Sequence, residues 1–279
     1  MNDFLKAVIF GIVQGLAEFL PISSSGHLAL THSIISFGEG FDNLAFDVLL
    51  HLGTLFAVII IYRKDIVLLI KAFFTLLGKV FRGNFRLSEY NVDERFVVFL
   101  MIAVIPLIPG AFLSGSVEFL MGYPVFVGCA LMVNAVILFL CDKLTATTKS
   151  IEEVRPINAL AVGLCQLVAV LPGISRSGST ITGGLTQGFT RELAVKFSFI
   201  LSIPAILGAC VLELPDFFSN LPDVRTLLVC LCGALCAMVV GILAIKLVNF
   251  VAKKAKFRFF SYYCLAVGAV VVIVSIATA

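Results

Sequence analysis

EFLPISSSGHLAL, residues 18–30, interrupts a helix in a solvent that tolerates interruption badly. Residues 4–20 form an apolar helical run. Pro21 then removes a backbone donor and disfavours helix at the residue before it, while Ser23, Ser24, Ser25 and Gly26 favour turns and helix caps. The solvent is lipid: 60% of the chain is hydrophobic, 13% is charged, and the mean hydropathy is +1.11, far from the balance of a soluble domain. Loop backbone cannot face hydrocarbon, so the break must be buried in protein or line a wet cavity. The expectation is a re-entrant hairpin whose second arm starts near His27.

Phe96–Leu113, Val125–Cys141, Leu227–Val248 and Tyr262–Ala277 are each long enough to cross a hydrocarbon core about 30 Å thick. The fold class is therefore an all-α polytopic membrane protein. The opening MNDFLKAVIFGIVQG has no small-residue cleavage site and is expected to be mature sequence. The eight cysteines sit mostly within apolar spans and read as packing residues rather than a disulfide or zinc framework. A net charge of +3 does not call for nucleic acid, and none is expected as a partner. Charge placement says more: Lys and Arg concentrate between Arg63 and Arg95, between Lys143 and Arg155, and in Lys253, Lys254, Lys256 and Arg258. These loops should be cytoplasmic, and the acidic connections around Glu118 and around Glu213, Asp216 and Asp223 should face outside. IVLLIKAFFTLLGKVF, within the first basic loop, is expected to lie along the inner membrane surface.

The chain also echoes itself. Laid without gaps over GLCQLVAVLPGISRSG (163–178), GIVQGLAEFLPISSSG (11–26) brings Gly11, Gln14, Ile22, Ser23, Ser25 and Gly26 onto Gly163, Gln166, Ile174, Ser175, Ser177 and Gly178. Each copy is followed by three further spans, at about 44–62, 96–115 and 122–141, and then 194–213, 226–249 and 259–278. An odd number of crossings inverts one half relative to the other, so the expected plan is an inverted-topology repeat within a single membrane domain. Repeat one covers 1–150 and repeat two 151–279, each a re-entrant helical hairpin plus three transmembrane helices. The two breaks then meet near the midplane, the second formed by 156–190 with LPGISRSGSTITGG at its tip.

This tip chemistry suits anions. Second arms starting near His27 and Ser179 aim free N–H groups and positive dipole ends into the cavity. Arg176 adds a fixed charge with a fork that fits phosphate oxygens. Glu18 and Gln14 share a helical face toward the same tip. An ionised glutamate at that depth needs Arg176, a metal or a proton beside it. Two of the serines in each cluster read as backbone caps, and His32 and His51 as structural or peripheral. Gly11 and Gly15, like Gly184 and Gly188, have the spacing at which helices touch.

QGLAEFLPISSSGH and LPGISRSGST resemble the two signature segments of the bacterial undecaprenyl-pyrophosphate phosphatases, also called bacitracin-resistance proteins, and the resemblance extends over essentially the whole chain. It implies a multi-pass enzyme of the bacterial inner or plasma membrane, with its cavity open to the outer side. Such an enzyme hydrolyses the terminal phosphate of a C55 polyprenyl diphosphate to regenerate the monophosphate carrier lipid of peptidoglycan synthesis. It further implies dependence on a divalent cation, Mg²⁺ or Ca²⁺. By position, Ser24 matches the serine proposed as nucleophile, His27 the histidine beside it, Arg176 the second-signature arginine and Glu18 the second acid. The expected roles are attack by Ser24, or by water with Ser24 only binding, proton removal by His27, and Glu18 either holding the metal or orienting His27. The first acid position holds Gln14 instead. Ser23, Ser25, Gly26, Ser175, Ser177, Gly178 and Thr180 complete the expected substrate cradle, with membrane lipids around the prenyl tail; a homodimer is compatible with this reading. A secondary transporter or lipid translocator shares the architecture and is the alternative function.

Overall fold

The computed structural model describes residues 2–37, 43–83, 86–110, 114–144, 148–219, 223–254 and 257–278. The side chains of Glu118, Glu213 and Asp216, and the whole of Lys256, lie outside the described residues. The described chain is built from α1 (Asp3–Phe19), α2 (Ser24–Ile34), α3 (Asn43–Ile61), α4 (Arg63–Phe81), α5 (Val92–Val104), α6 (Leu107–Gly110), α7 (Ser114–Met121), α8 (Pro124–Cys141), α9 (Pro156–Val168), α10 (Arg176–Thr186), α11 (Arg191–Ser219), α12 (Val224–Lys253) and α13 (Arg258–Ala277).

Pro124–Cys141, Arg191–Leu212, Val224–Lys253 and Arg258–Ala277 are each long and apolar enough to cross a membrane, and Ala45–Ile61 joins Arg63–Phe81 across a bend of 88°. This is a multi-pass membrane protein. The bend follows from the charges Arg63, Lys64 and Asp65, which cannot continue α3 through hydrocarbon and instead open a helix with apolar Phe74 and Val67 exposed. The expected unbroken span 96–115 is not observed. α5 stops at Val104, and the chain turns at Ile105 and Pro106 before α6. Pro106 has no N–H to donate to the carbonyl four residues earlier, and Pro109 repeats the defect within α6.

Loop contacts fix which helix ends lie together. Arg95 donates to the Glu152 carbonyl (2.7 Å), Lys196 pairs with Asp65 (2.5 Å), Asp142 accepts from the Arg258 N–H (2.8 Å) and Arg191 donates to the Leu144 carbonyl (3.1 Å). The basic loops thus share one end of the molecule. At the other end Asp3, at the start of α1, lies 3.6 Å from Arg225, at the start of α12. Asp223 caps α12 there, and hydrogen bonds from Thr226 hold its carboxyl below the usual carboxylate range.

The spine of the fold is α12, with α1 and α3 packed along it, while α8 packs on α13, and α9 and α10 sit against α5 and α11. α1 approaches α12 closely because Gly15 has no side chain. A Cβ there would lie 2.7 Å from the Ala237 carbonyl oxygen and 2.8 Å from the Val240 Cβ. Gly15→Val is therefore expected to push α1 off α12 and lower stability by about 1–3 kcal/mol, read as an earlier thermal unfolding transition of detergent-purified protein.

Candidate active site

Two helices stop inside the molecule. α1 ends at Phe19, and Leu20 turns extended (φ −64, ψ 141) because Pro21 follows. The Ile22 N–H then closes a tight turn onto the Leu20 carbonyl (2.7 Å), and Ser23 takes a left-handed φ of 74. That conformation costs a non-glycine residue about 1–3 kcal/mol. The Ser23 hydroxyl offsets part of it by accepting the Gly26 N–H (3.3 Å) and so capping α2. α9 ends at Val168, and Gly173 reverses the chain with φ 97. Ser175 then caps α10 by accepting the Gly178 N–H (3.1 Å).

The matched positions of the sequence echo thus make the same bonds twice: Ser23 and Ser175 cap, and each lies within reach of the serine two residues on, Ser25 (3.3 Å) and Ser177 (3.1 Å). The breaks touch. A Cβ on Gly26 would stand 3.1 Å from the Gly173 Cα, and one on Gly178 3.2 Å from the Pro21 Cβ. The Ser177 hydroxyl lies 3.4 Å from the Leu20 carbonyl oxygen.

What meets there is one carboxylate with two charged or polar partners from different breaks. Glu18 is 5% exposed. Its Oε1 is ion-paired with Arg176 Nη2, and its Oε2 accepts the Ser24 hydroxyl at 2.7 Å and the Gln14 amide at 3.2 Å. Ser24 and Arg176 occupy equivalent positions in the echo, each the first residue of the helix after its break. The second terminal nitrogen of Arg176, Nη1, is buried with no hydrogen-bond partner among the described residues. It is a donor left over for an anion. Two helix N-termini, with first-turn N–H groups unclaimed by their own helices, begin at the same place.

A scan of family models matches residues 7–270 to "Bacitracin resistance protein BacA". The chain belongs to that family. Among curated relatives, an undecaprenyl-diphosphatase of Alkaliphilus metalliredigens is 40% identical over 274 residues, covering 97% of this chain and 98% of that protein. One of Methanosphaera stadtmanae is 39% identical over 280 residues, covering 99% of both, and one of Bacteroides fragilis is 37% identical over 278 residues, covering 98% of both.

Within this BacA-family site the expected serine–histidine pair does not form. His27 Nδ1–H donates to the Ser23 carbonyl (2.8 Å), leaving Nε2 as an acceptor, and Tyr263 of α13 fills it with its hydroxyl (2.8 Å) while stacking on the ring. The proton acceptor that Ser24 touches is Glu18 instead. Thr180 is also turned elsewhere: its hydroxyl bonds the Arg176 carbonyl (2.8 Å) and Ser198 of α11 (2.6 Å). Ser23, Ser175 and Ser177 are buried in the hinge between the breaks, whereas Ser24 and Ser25 are half-buried.

Two residues escaped the sequence reading. His51 on α3 donates from Nδ1–H to the Asp47 carbonyl (2.7 Å), which turns Nε2 toward Glu18 Oε2 at 3.8 Å. It is a residue of the site rather than a peripheral one. Asn134 on α8 bonds both breaks at once. Asn134 has no local signal, being a single polar residue in an apolar helix, whereas Asp47, His51 and Thr54 recur at helical spacing along α3 and mark one face of it.

The residues present fit a divalent cation only in part. Among the described residues no group of three or more His, Cys, Asp or Glu gathers at one point. The Gln14 Oε1 is, however, fully buried and without a hydrogen-bond partner, an amide oxygen beside the Glu18 carboxylate. One carboxylate and one amide oxygen suit a hard cation that takes its remaining ligands from phosphate and water. A separate cavity of about 270 Å³ opens at the basic end between Asp65, Asp93, Ser150, Glu192 and Lys196. Its acids outnumber its cation, which does not favour a diphosphate.

Proposed function

We propose that this protein is an undecaprenyl-diphosphate phosphatase that removes the terminal phosphate of a C55 polyprenyl diphosphate and returns the monophosphate carrier lipid. One observation carries the reading beyond family membership: Ser24 and Arg176, the first residues after two separate breaks, meet on the two oxygens of a single buried Glu18. This supports a nucleophile on one hairpin and a phosphate clamp on the other.

The chemistry proposed is in-line displacement. Ser24 Oγ forms a bond to the terminal phosphorus, the bridging P–O bond breaks, and the prenyl monophosphate leaves. The Ser24 proton passes to Glu18 Oε2, the acceptor it already faces. Water then attacks the phosphoserine, and the proton returns from Glu18 to Ser24 Oγ as phosphate departs. Arg176 Nη1, unclaimed by Glu18, binds an equatorial oxygen together with the N–H groups at the starts of α2 and α10. His27 is assigned to holding the start of α2 against α13 through Tyr263, in place of the proton removal expected from its place beside Ser24.

A divalent cation, Mg²⁺ or Ca²⁺, belongs to the proposal on charge grounds, because the Arg176 charge is already matched by Glu18 and a diphosphate brings further negative charge. Glu18 and Gln14 Oε1 would hold it, and when bound it would neutralise phosphate oxygens. For orientation, the clustering of the basic loops supports a cytoplasmic face there, in a bacterial inner or plasma membrane, with the site open to the outer side. The inverted-repeat reading rests on the matched capping bonds and on hairpins that start at opposite ends, α1 beside Arg225 and α9 near the Lys149–Gln187 contact.

The test is direct. Purified protein given undecaprenyl or farnesyl diphosphate and Mg²⁺ should release one phosphate per prenyl monophosphate formed. Chelation should lower the rate by about 10²-fold or more, the scale of losing a major electrostatic stabiliser, and added Mg²⁺ or Ca²⁺ should restore it. Lipid movement across vesicles without phosphate release would favour the translocator, and turnover unaffected by chelation would remove the metal.

A further inference from the structure

Asn134 lies midway along α8, is 0% exposed, and sits on a helix that is otherwise almost wholly apolar. Its amide is used at both ends. Nδ2 donates to the Pro21 carbonyl (3.0 Å) and lies 3.4 Å from the Cys264 sulfur, while Oδ1 accepts the Ser175 N–H (3.1 Å). Both main-chain partners belong to non-helical backbone with no place in a helix ladder, where a buried N–H or C=O must find some other partner. Pro21 stands three residues before Ser24, and Ser175 immediately precedes Arg176.

We propose that Asn134 is a positioning residue for the phosphoryl transfer: one rigid amide, held by α8, sets the separation of the two breaks at which Ser24 and Arg176 address the same phosphate. The inference rests on the reading of Ser24 and Arg176 given above. α8 also touches the second break sterically, since a Cβ on Gly173 would stand 2.7 Å from the Val127 carbonyl oxygen and 2.6 Å from the Ala130 Cβ. That contact survives loss of the amide. The first break also keeps steric ties, α2 on α8 and Gly178 on Pro21, so what the amide alone supplies is the hydrogen-bonded spacing between the Pro21 carbonyl and the Ser175 N–H. Truncation therefore leaves both hairpins seated by packing and lets their hydrogen-bonded separation relax, shifting Ser24 relative to Arg176. A displacement of about 1 Å between reacting groups can cost a reaction on the order of 10²-fold.

The experiment compares Asn134→Leu, Asn134→Asp and Asn134→Gln with wild type by phosphate release from farnesyl diphosphate, using only monodisperse detergent-purified protein. All three should lose about 10–100-fold in kcat with KM within about threefold, because Asn134 touches no substrate. Asp keeps the acceptor for Ser175 but presents an oxygen to the Pro21 carbonyl. Gln keeps both hydrogen-bonding groups and shifts them by one methylene, so it separates placement from folding if Leu and Asp accumulate poorly. Combined with Arg176→Lys, Asn134→Gln should add less than about threefold, since the geometry it protects is already lost.

Gln at wild-type kcat, a rise in KM alone, or full additivity with Arg176→Lys would each overturn the positioning role. Ser24→Ala measured alongside keeps the two readings apart. If that variant is inactive and the Asn134 variants are normal, only the positioning role falls; if it turns over normally, the site assignment falls with it.

Discussion

Arg176→Ala is expected to lower phosphate release by about 10³-fold or more and, separately, to destabilise the folded protein. The catalytic loss follows from removing the guanidinium that faces the charge developing on the transferring phosphoryl group, where an arginine contributes about 10³–10⁵-fold. The structural loss follows from what stays behind: Glu18, 5% exposed, without its ion partner. Breaking a buried pair by deleting one member costs about 3–5 kcal/mol because an uncompensated charge remains. The hydrogen bonds from Ser24 and Gln14 soften that cost without supplying a positive charge. Replacing both members, Glu18→Gln with Arg176→Gln, should recover most of the stability and none of the activity. Thermal unfolding and phosphate release on the same preparations separate the two effects. An active Arg176→Ala protein would end the clamp assignment, and a double variant no more stable than the single one would locate the instability elsewhere.

The parts of this site legible in the sequence were those with a local chemical cause. Pro21 and the serines after it cannot continue a helix, and Gly173 and Pro172 cannot either, so both breaks could be read directly. Glu18 at membrane depth needed Arg176, a metal or a proton, and the structure supplies the first of these across 158 residues. Lys and Arg placement located the basic end and the bend after Ile61. What could not be read depended on how helices rotate against one another. The contact of His51 with Glu18 depends on which helix the polar face of α3, Asp47, His51 and Thr54, is turned toward, and the sequence of α3 does not state that. Asn134, alone on apolar α8, gives no partner away either. The hydrogen bond of His27 to Tyr263 was equally illegible, because its local context, three residues after Ser24, says nothing of a hydroxyl 236 residues away. The break at Pro106 was different: its signal was present, but the apolar length of 96–115 outweighed it. Two prolines in one span were better evidence than the run of hydropathy around them.

Ser24→Ala should remove turnover by about 10³-fold or more while leaving the fold nearly intact. The side chain is half-buried and makes one hydrogen bond, to Glu18. Its loss should cost at most about 1.5–3 kcal/mol, the range for a bond to a charged group. The size of the kinetic loss distinguishes two roles for the hydroxyl. As nucleophile it forms the bond to phosphorus, and no neighbouring group replaces it: Ser23 caps α2 from a strained backbone, and Ser25 faces Ser23. As a ligand alone, with water attacking phosphorus directly, it would contribute no more than a single oxyanion donor, about 10²–10³-fold. Acid quenching of wild-type protein during turnover of a substrate labelled on its terminal phosphate should leave label on Ser24, because the ester is stable once the protein unfolds. Ser24→Ala should carry none. A loss near 10²-fold with unlabelled wild type would instead put the attacking oxygen on water, with Glu18 Oε2 as the base that activates it, and would leave the Glu18–Arg176 pair at the centre of the reaction with Ser24 beside it.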